Sequence, residues 1–430
     1  MNTEGRISGG PVGTGQPPAE APIVLERVRT VDARGVSAPR TVAIADGRIV
    51  LDGIERFTGQ GGRALRHDGS GRYLAPGLFN LHTHMVYDGG PDPHAQYLTE
   101  DVATSTVRTL QRLQGALASG VTTIRDVGCG NGVDLTLSLL QVDGEIVAPR
   151  IFAAGRVITM SGGHGHQFGR EADGPDDCRR AAREQLKAGA TALKVMATGG
   201  MMTPGRMQRT GATQLTVDEM RAVCEAGHAA GVVVAAHVLN AQGALNAIHA
   251  GIDSIEHGHW MDAPVIEEML THGTSYVPTV LSDVRIIEHG TQVGIPDFVV
   301  EKCKRSYEGI GLALSAAIEM GARILAGNDA GAPMVGMGEV VEELLLYEDH
   351  GMSREAALAS ATSEPARFLG LEDLGLIEHG WGADVLLLDA DPLADLSALR
   401  SPLAVLQEGR VRFGDLGPLL GDEHPAVEID

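Results

Sequence analysis

Basic residues are in short supply: 34 Lys and Arg face 56 Asp and Glu, for a formal net charge of −22. Nucleic acid and anionic membrane both reward clusters of Lys and Arg, so neither is expected as a partner. Cysteine is nearly absent. The four present, Cys129, Cys178, Cys224 and Cys303, lie far apart and form no C-x-x-C. That excludes a disulfide frame and a thiolate zinc site and leaves them as small buried residues. No stretch reaches the roughly 18 to 20 uninterrupted apolar residues of a membrane span. The N-terminus lacks the basic stretch and apolar core of a signal peptide, so a cytoplasmic location is expected. Aromatics are scarce at 3%, whereas 57 glycines suit a fold with many tight strand-to-helix turns.

What is there divides by pattern. Met1–Ala21 is rich in Gly, Pro, Ser and Thr and reads as a disordered lead. From Pro22 to about Tyr73 short strands alternate with turns: Ile23–Val28, Thr41–Ile44 and Arg48–Leu51, with Asp46-Gly47 as a hairpin signal. The C-terminal end repeats this style in Ala383–Asp389 and Leu403–Val411. The middle alternates strand and helix, with helices expected over Thr216–His228 (which opens on a capping-box pattern), Asp177–Ala188 and Ser353–Ala361. The economical arrangement is α/β: a (β/α)8 TIM barrel over residues 77–371, inserted into a small β-sandwich domain built from residues 22–76 and 372–430.

Chemistry-bearing residues fall where short apolar strands run out. Leu81-His82-Thr83-His84 follows Ala75-Pro76-Gly77-Leu78-Phe79. Alternation along a strand turns His82 and His84 to the same side, and two neutral imidazoles can grip one first-row metal ion. Lys194 sits inside the apolar run Thr191–Met196. His237 ends Gly231–Ala236, His257 ends Ile252–Glu256, and Asp329 ends Gly321–Asn328. Polar groups at C-terminal strand ends are where a β/α barrel builds its active site. Any one of them alone could be a strand-end group bonded to a loop; the ordered set points to a metal pair.

These segments resemble the amidohydrolase superfamily, in the branch of metal-dependent prolidases and imidazolonepropionase-like enzymes. The resemblance adds Gly120–Asp126, Ser161-Gly162-Gly163-His164-Gly165-His166, Lys194–Gly200, Asp253–Gly258, Ala361–Arg367 and Gly380–Asp384, so it spans nearly the whole chain. It implies two divalent metal ions, zinc the expected identity, at the mouth of the barrel. His82 and His84 would hold the buried metal, and His237 and His257, ending the fifth and sixth strands, the second. Lys194 would be carboxylated by carbon dioxide and bridge both, and Asp329 would bind the first metal and contact the bridging hydroxide. A cationic lysine would repel a metal, whereas its carbamate offers two anionic oxygens. Paired metals lower the pKa of a shared water and polarise a scissile carbonyl, leaving Asp329 to carry the proton from nucleophile to leaving amine.

The expected activity is therefore hydrolysis of a C–N amide bond in a small molecule, an N-acyl amino acid, a dipeptide or a related amide. Cyclic-amide hydrolysis of the imidazolonepropionase kind is the alternative. A deaminase of this fold usually works with one metal and needs no bridging lysine. A metal-free assembly or regulatory relative would be expected to lose ligands, and none is missing. His164 is a candidate to hydrogen-bond the substrate carbonyl or its oxyanion. Tyr87, His166, Arg206, Leu239 and Tyr276 are candidates for substrate contact, and His259 and Trp260 stand close enough to flank the mouth. Two positions depart from the family pattern. Leu239 replaces the polar residue that prolidase-like relatives often carry two positions after the fifth-strand histidine, which argues against dipeptide cleavage. Asn328 stands where Thr or Ser is commoner. A homo-oligomer is compatible with the sequence.

Overall fold

A computed structural model describes residues 21–58, 64–201 and 210–420. Arg206, and the expected lead up to residue 20, lie outside the described residues. Both chain ends contribute to one mixed sheet. Its neighbours run in the order Arg410–Gly414, Ala404–Gln407, Val385–Leu388, Tyr73–Pro76, Ile23–Asp32, Arg40–Ala45 and Arg48–Val50. The junction of N- and C-terminal strands is antiparallel, with Leu386 opposite Ala75 and Leu387 opposite Leu74. This shared sheet is consistent with a β-sandwich domain assembled from both ends. Asp46 and Gly47 turn the expected hairpin, and their φ values of +51° and +73° are the left-handed pair a tight two-residue turn demands. The run Leu403–Val411, read as one strand, is instead a second hairpin. Glu408 and Gly409 adopt φ of +54° and +77° and fold Arg410–Gly414 back on Ala404–Gln407.

The middle of the chain is α/β. Leu78–Thr83, Val121–Asp126 and Arg150–Ala153 pair in parallel. Ala192–Met196, Val233–Val238, Ser254–His257 and Ser275–Val277 form a second parallel series, with the short Ile158–Thr159 and Arg170–Glu171 at its edge. Helices cover these strands, which is why they read as continuous apolar runs: Ala192–Met196 is buried at every position. Hydrogen bonds join the two series at both margins. On one side the Thr191 N–H donates to the Ala153 carbonyl at 2.9 Å. On the other, residues 323–330 lie between the series. Leu325 N–H donates to the Tyr276 carbonyl at 2.8 Å, and Leu81 N–H donates to the Ala326 carbonyl at 2.8 Å.

Helix boundaries follow their caps. The helix expected over Thr216–His228 spans Val217–Ala229. Thr216 accepts from the Glu219 N–H and the Glu219 carboxylate takes the Thr216 N–H, the expected reciprocal box. Ser353 caps Arg354–Ser360, and the helix expected from Asp177 starts at Pro175 and runs to Lys187. All four cysteines are free and buried. No helix among the described residues is long and apolar enough to cross a membrane.

Candidate metal centre and its cavity

Four imidazoles, an amine and a carboxylate meet at the C-terminal ends of the parallel strands. His82 Nε2 and His84 Nε2 lie 3.4 and 3.5 Å from Asp329 Oδ1. Ligand atoms of these three residues fall within 4.8 Å of one another, the one such group of His, Cys, Asp or Glu among the described residues. The His257 ring centre is 4.9 Å from that of His82, His237 is 4.6 Å from His257, and His164 is 4.4 Å from His237. Lys194, 1% exposed, opens onto the same cavity of about 920 Å³, mouth included, as His84, His164, His237, His257 and Asp329.

Strand geometry alone does not bring these groups together. His257 and Asp329 are non-glycine residues at φ of +66° and +56°, and Thr279, which contacts His257, is at +58°. Left-handed backbone is costly for side-chain-bearing residues and concentrates at functional sites. Here it swings the last side chain of a strand out of alternation. Glu256 and His257 are sequence neighbours and should face opposite ways, yet both reach His82: Glu256 Oε2 lies 2.7 Å from His82 Nδ1.

Hydrogen bonds then settle which imidazole nitrogen is left over. His82 Nδ1 donates to buried Glu256, and His84 Nδ1 donates to the Gly128 carbonyl at 3.2 Å. Thr279 spends its hydroxyl proton on the Pro278 carbonyl, so its oxygen accepts from His257 Nδ1 at 2.7 Å. Each ring therefore presents an Nε2 lone pair, and second-partner bonds of this type orient metal-binding histidines. His82 Nε2 and His237 Nε2 are buried with no hydrogen-bond partner among the described residues. Such orphaned acceptors are rare in a folded interior, and a cation would satisfy both. The donor set fits a metal.

Burial sets the charge states. It pushes His82, His237 and His257 well below the ordinary histidine range, and His84 and His164 down to about 3, with the Lys194 charge adding to the effect for His82 and His84. Neutral imidazoles are the form that binds metals. Burial also draws Lys194 down to about 8, while Glu256 opposes the shift. Asp329 is raised to about 6 by burial, against the pull of Lys194.

Two residues that sequence reading left without a role support the centre from below. Arg125 and Glu256 are both fully buried, and Arg125 Nη2 donates to Glu256 Oε1 at 2.8 Å. Arg125 Nε holds the Leu81 carbonyl at 2.7 Å, and its Nη1 holds Ser254 Oγ, which in turn donates to Glu256. The signal was present: each strand carries a charged residue, Arg125 or Glu256, directly before the polar residue that ends it, Asp126 or His257.

The softer candidates separate. Tyr87 and Leu239 line the cavity, as does His259. Tyr276 is not in the cavity lining: fully buried, it donates its hydroxyl to the His257 carbonyl at 2.9 Å and so backs the site. His166 is off the cavity lining, its Nδ1 3.0 Å from the Gly163 carbonyl. Trp260 is half exposed at a neighbouring depression. Asn328 accepts from Asn80 at 2.7 Å and donates to the Gly336 carbonyl, a buried pair that anchors the chain just before Asp329. Phe168 and His94 join Tyr87 on one wall, and Asp283 lies in the lining as well.

The family model described as "Amidohydrolase family" matches residues 73–411. Ochratoxinase from Aspergillus niger is 30% identical over 363 residues, covering 77% of this chain and 73% of that protein. The crystal structure of a Xaa-Pro dipeptidase with methionine bound in its active site superposes with a TM-score of 0.82 at 28% identity, over 91% of this chain and 99% of the other. A prolidase complexed with N-methylphosphonate-L-proline gives a TM-score of 0.82 at 27% identity over the same shares.

Proposed function

The chain belongs to the amidohydrolase family, a hydrolase of C–N bonds, and from that premise we propose that it is a binuclear metal-dependent hydrolase of an amide bond in a small molecule. The observation that carries this reading is the set of Nε2 atoms at His82, His84 and His257, each freed by a partner on Nδ1, gathered around Asp329 and Lys194. His82, His84 and Asp329 would hold one metal, His237 and His257 the other, and Lys194 would bridge them as its carbamate. Burial supports that modification, because an amine drawn down to about 8 has a neutral fraction able to add carbon dioxide. Two metals, zinc by ligand type, would supply a water of lowered pKa and polarise the scissile carbonyl. We further propose that the parallel strands close as the (β/α)8 barrel over residues 77–371, supported by the hydrogen-bonded margins at Thr191 and Leu325, with residues 22–76 and 372–430 as the small β domain.

The chain's own residues supply the rest. Asp329, raised to about 6 by burial, is suited to take a proton from the attacking water and pass it to the leaving nitrogen. His164, beside His237, would donate to the carbonyl oxygen as negative charge builds on it. Tyr87 and Phe168 form an edge-to-face pair, ring centres 5.8 Å apart, that keeps water from one wall. Leu239 places apolar surface where a polar contact would otherwise orient a dipeptide. The relatives' names, an ochratoxinase, a dipeptidase and a prolidase, support an amide substrate and leave its identity to a screen. That screen offers N-acyl amino acids, X-Pro and X-Arg dipeptides, lactams and aryl amides to metal-loaded protein. Lys194→Ala is expected to bind fewer than two metal equivalents by elemental analysis and to lose turnover. Full activity with two equivalents retained would sink the reading.

A further inference from the structure

One wall of the cavity carries a buried acid that the hydrolytic chemistry does not use. Asp283 lies in the helix Val280–His289, and its side chain is 7% exposed. Ser306 and Cys303 approach its carboxyl as hydrogen-bond donors, and Oδ2 has no hydrogen-bond partner among the described residues. Among the described residues His259 Nε2 is the nearest basic nitrogen, at 3.9 Å and beyond hydrogen-bond reach. No Lys or Arg among the described residues forms an ion pair with it. Nor is it part of a metal-binding group there.

A buried carboxylate left half-satisfied costs free energy unless it takes up a proton or something supplies a charged donor, and burial raises Asp283 to about 7. Asp283 lines the same cavity as the metal centre, so that donor can come from the substrate. The cavity lining also holds apolar surface, with Met201, Leu239 and Ile286 beside the polar Ser282 and His259. Apolar surface leading to a buried anion is what a long aliphatic stem with a cationic head requires. We propose that Asp283 is a specificity-determining residue, which selects amides carrying an alkylammonium or guanidinium group on an aliphatic stem. This rests on the hydrolase reading for the position of the amide, and the subsite itself is testable apart from it.

The experiment offers N-hexanoyl derivatives of L-lysine, L-norleucine and L-glutamate to the full-length, metal-loaded protein and to Asp283→Asn. In the wild type, kcat/KM is expected to favour lysine over norleucine by about tenfold or more, mainly through KM, with glutamate poorest. In Asp283→Asn the lysine-to-norleucine ratio is expected to collapse towards one. A residue that merely propped up His259 would change both substrates alike. Equal use of lysine and norleucine by the wild type overturns the subsite while the hydrolase reading stands, and this arm needs no variant to fold. A lysine preference that survives in Asp283→Asn overturns it too. If none of these three amides is turned over, calorimetry with hexylammonium and hexanol decides, while the hydrolase reading stands or falls on its own screen. Selective binding of the cation that is lost in Asp283→Asn supports the subsite, and binding without selectivity overturns it.

Discussion

Glu256 connects a neutral, metal-facing imidazole to a buried guanidinium. It accepts from His82 on one oxygen and from Arg125 on the other, with all three side chains fully buried. Glu256→Gln keeps the shape but strands the Arg125 guanidinium and loosens the tautomer of His82. Breaking one partner of a buried pair costs about 3–5 kcal/mol, and losing a histidine's supporting carboxylate weakens metal affinity by about 10- to 100-fold. We expect a lower thermal midpoint together with weaker metal binding in a competitive chelator titration; unchanged metal affinity would count against the role assigned to Glu256. The residue stands directly before His257 in a segment whose histidine drew notice. Strand alternation hid it, since alternation places adjacent residues on opposite faces. Only the left-handed turn at His257 brings both to His82.

At the scale of elements, local signals and structure agree where the chain decides for itself. The helix Val217–Ala229 begins where its capping box says, and the hairpin at Asp46-Gly47 forms as composition requires. Thr216→Ala removes an exposed cap that is not part of the cavity lining. It is expected to lower stability by roughly 1 kcal/mol in urea unfolding with turnover unchanged; a loss of activity at full stability would contradict this. The strands gave less away. Ala404–Gln407 and Arg410–Gly414 looked like one run because Glu408-Gly409 is not among the strongest turn pairs, and pairing with Val385–Leu388 settled it. The stretch 323–330 reads as a strand by composition, yet it has only isolated bridges at Ile324 and Ala330. The left-handed Asp329 and its neighbouring glycines bend it towards the histidines.

Across the whole molecule, contacts between the mixed sheet and the parallel strands fix the platform beneath the centre. Arg150 Nη1, on a parallel strand, donates to Asp384 Oδ2 at 2.9 Å, while Asp384 Oδ1 takes the Glu408 N–H at 2.7 Å. Gln407 reaches the Thr122 carbonyl at 3.1 Å. Asp384→Ala leaves the Glu408 N–H without this partner and the partly buried Arg150 guanidinium with only Thr123 and the more distant Glu408 carboxylate, at a cost of about 1–3 kcal/mol. We expect its urea midpoint to fall and the transition to stay single; a midpoint equal to wild type would show that the two parts do not lean on this contact. The sequence by itself determined the α/β class, the pairing of both chain ends in one β-rich part, and the six residues gathered at the centre, because apolar runs and strand-end polar groups are local patterns. Tertiary structure alone decided that Glu256 and Arg125 are linked to His82, that Tyr276 bonds the His257 carbonyl off the cavity lining, and that Asp283 lines the cavity. Those assignments depend on where side chains from distant strands and helices converge, and no local pattern encodes a convergence.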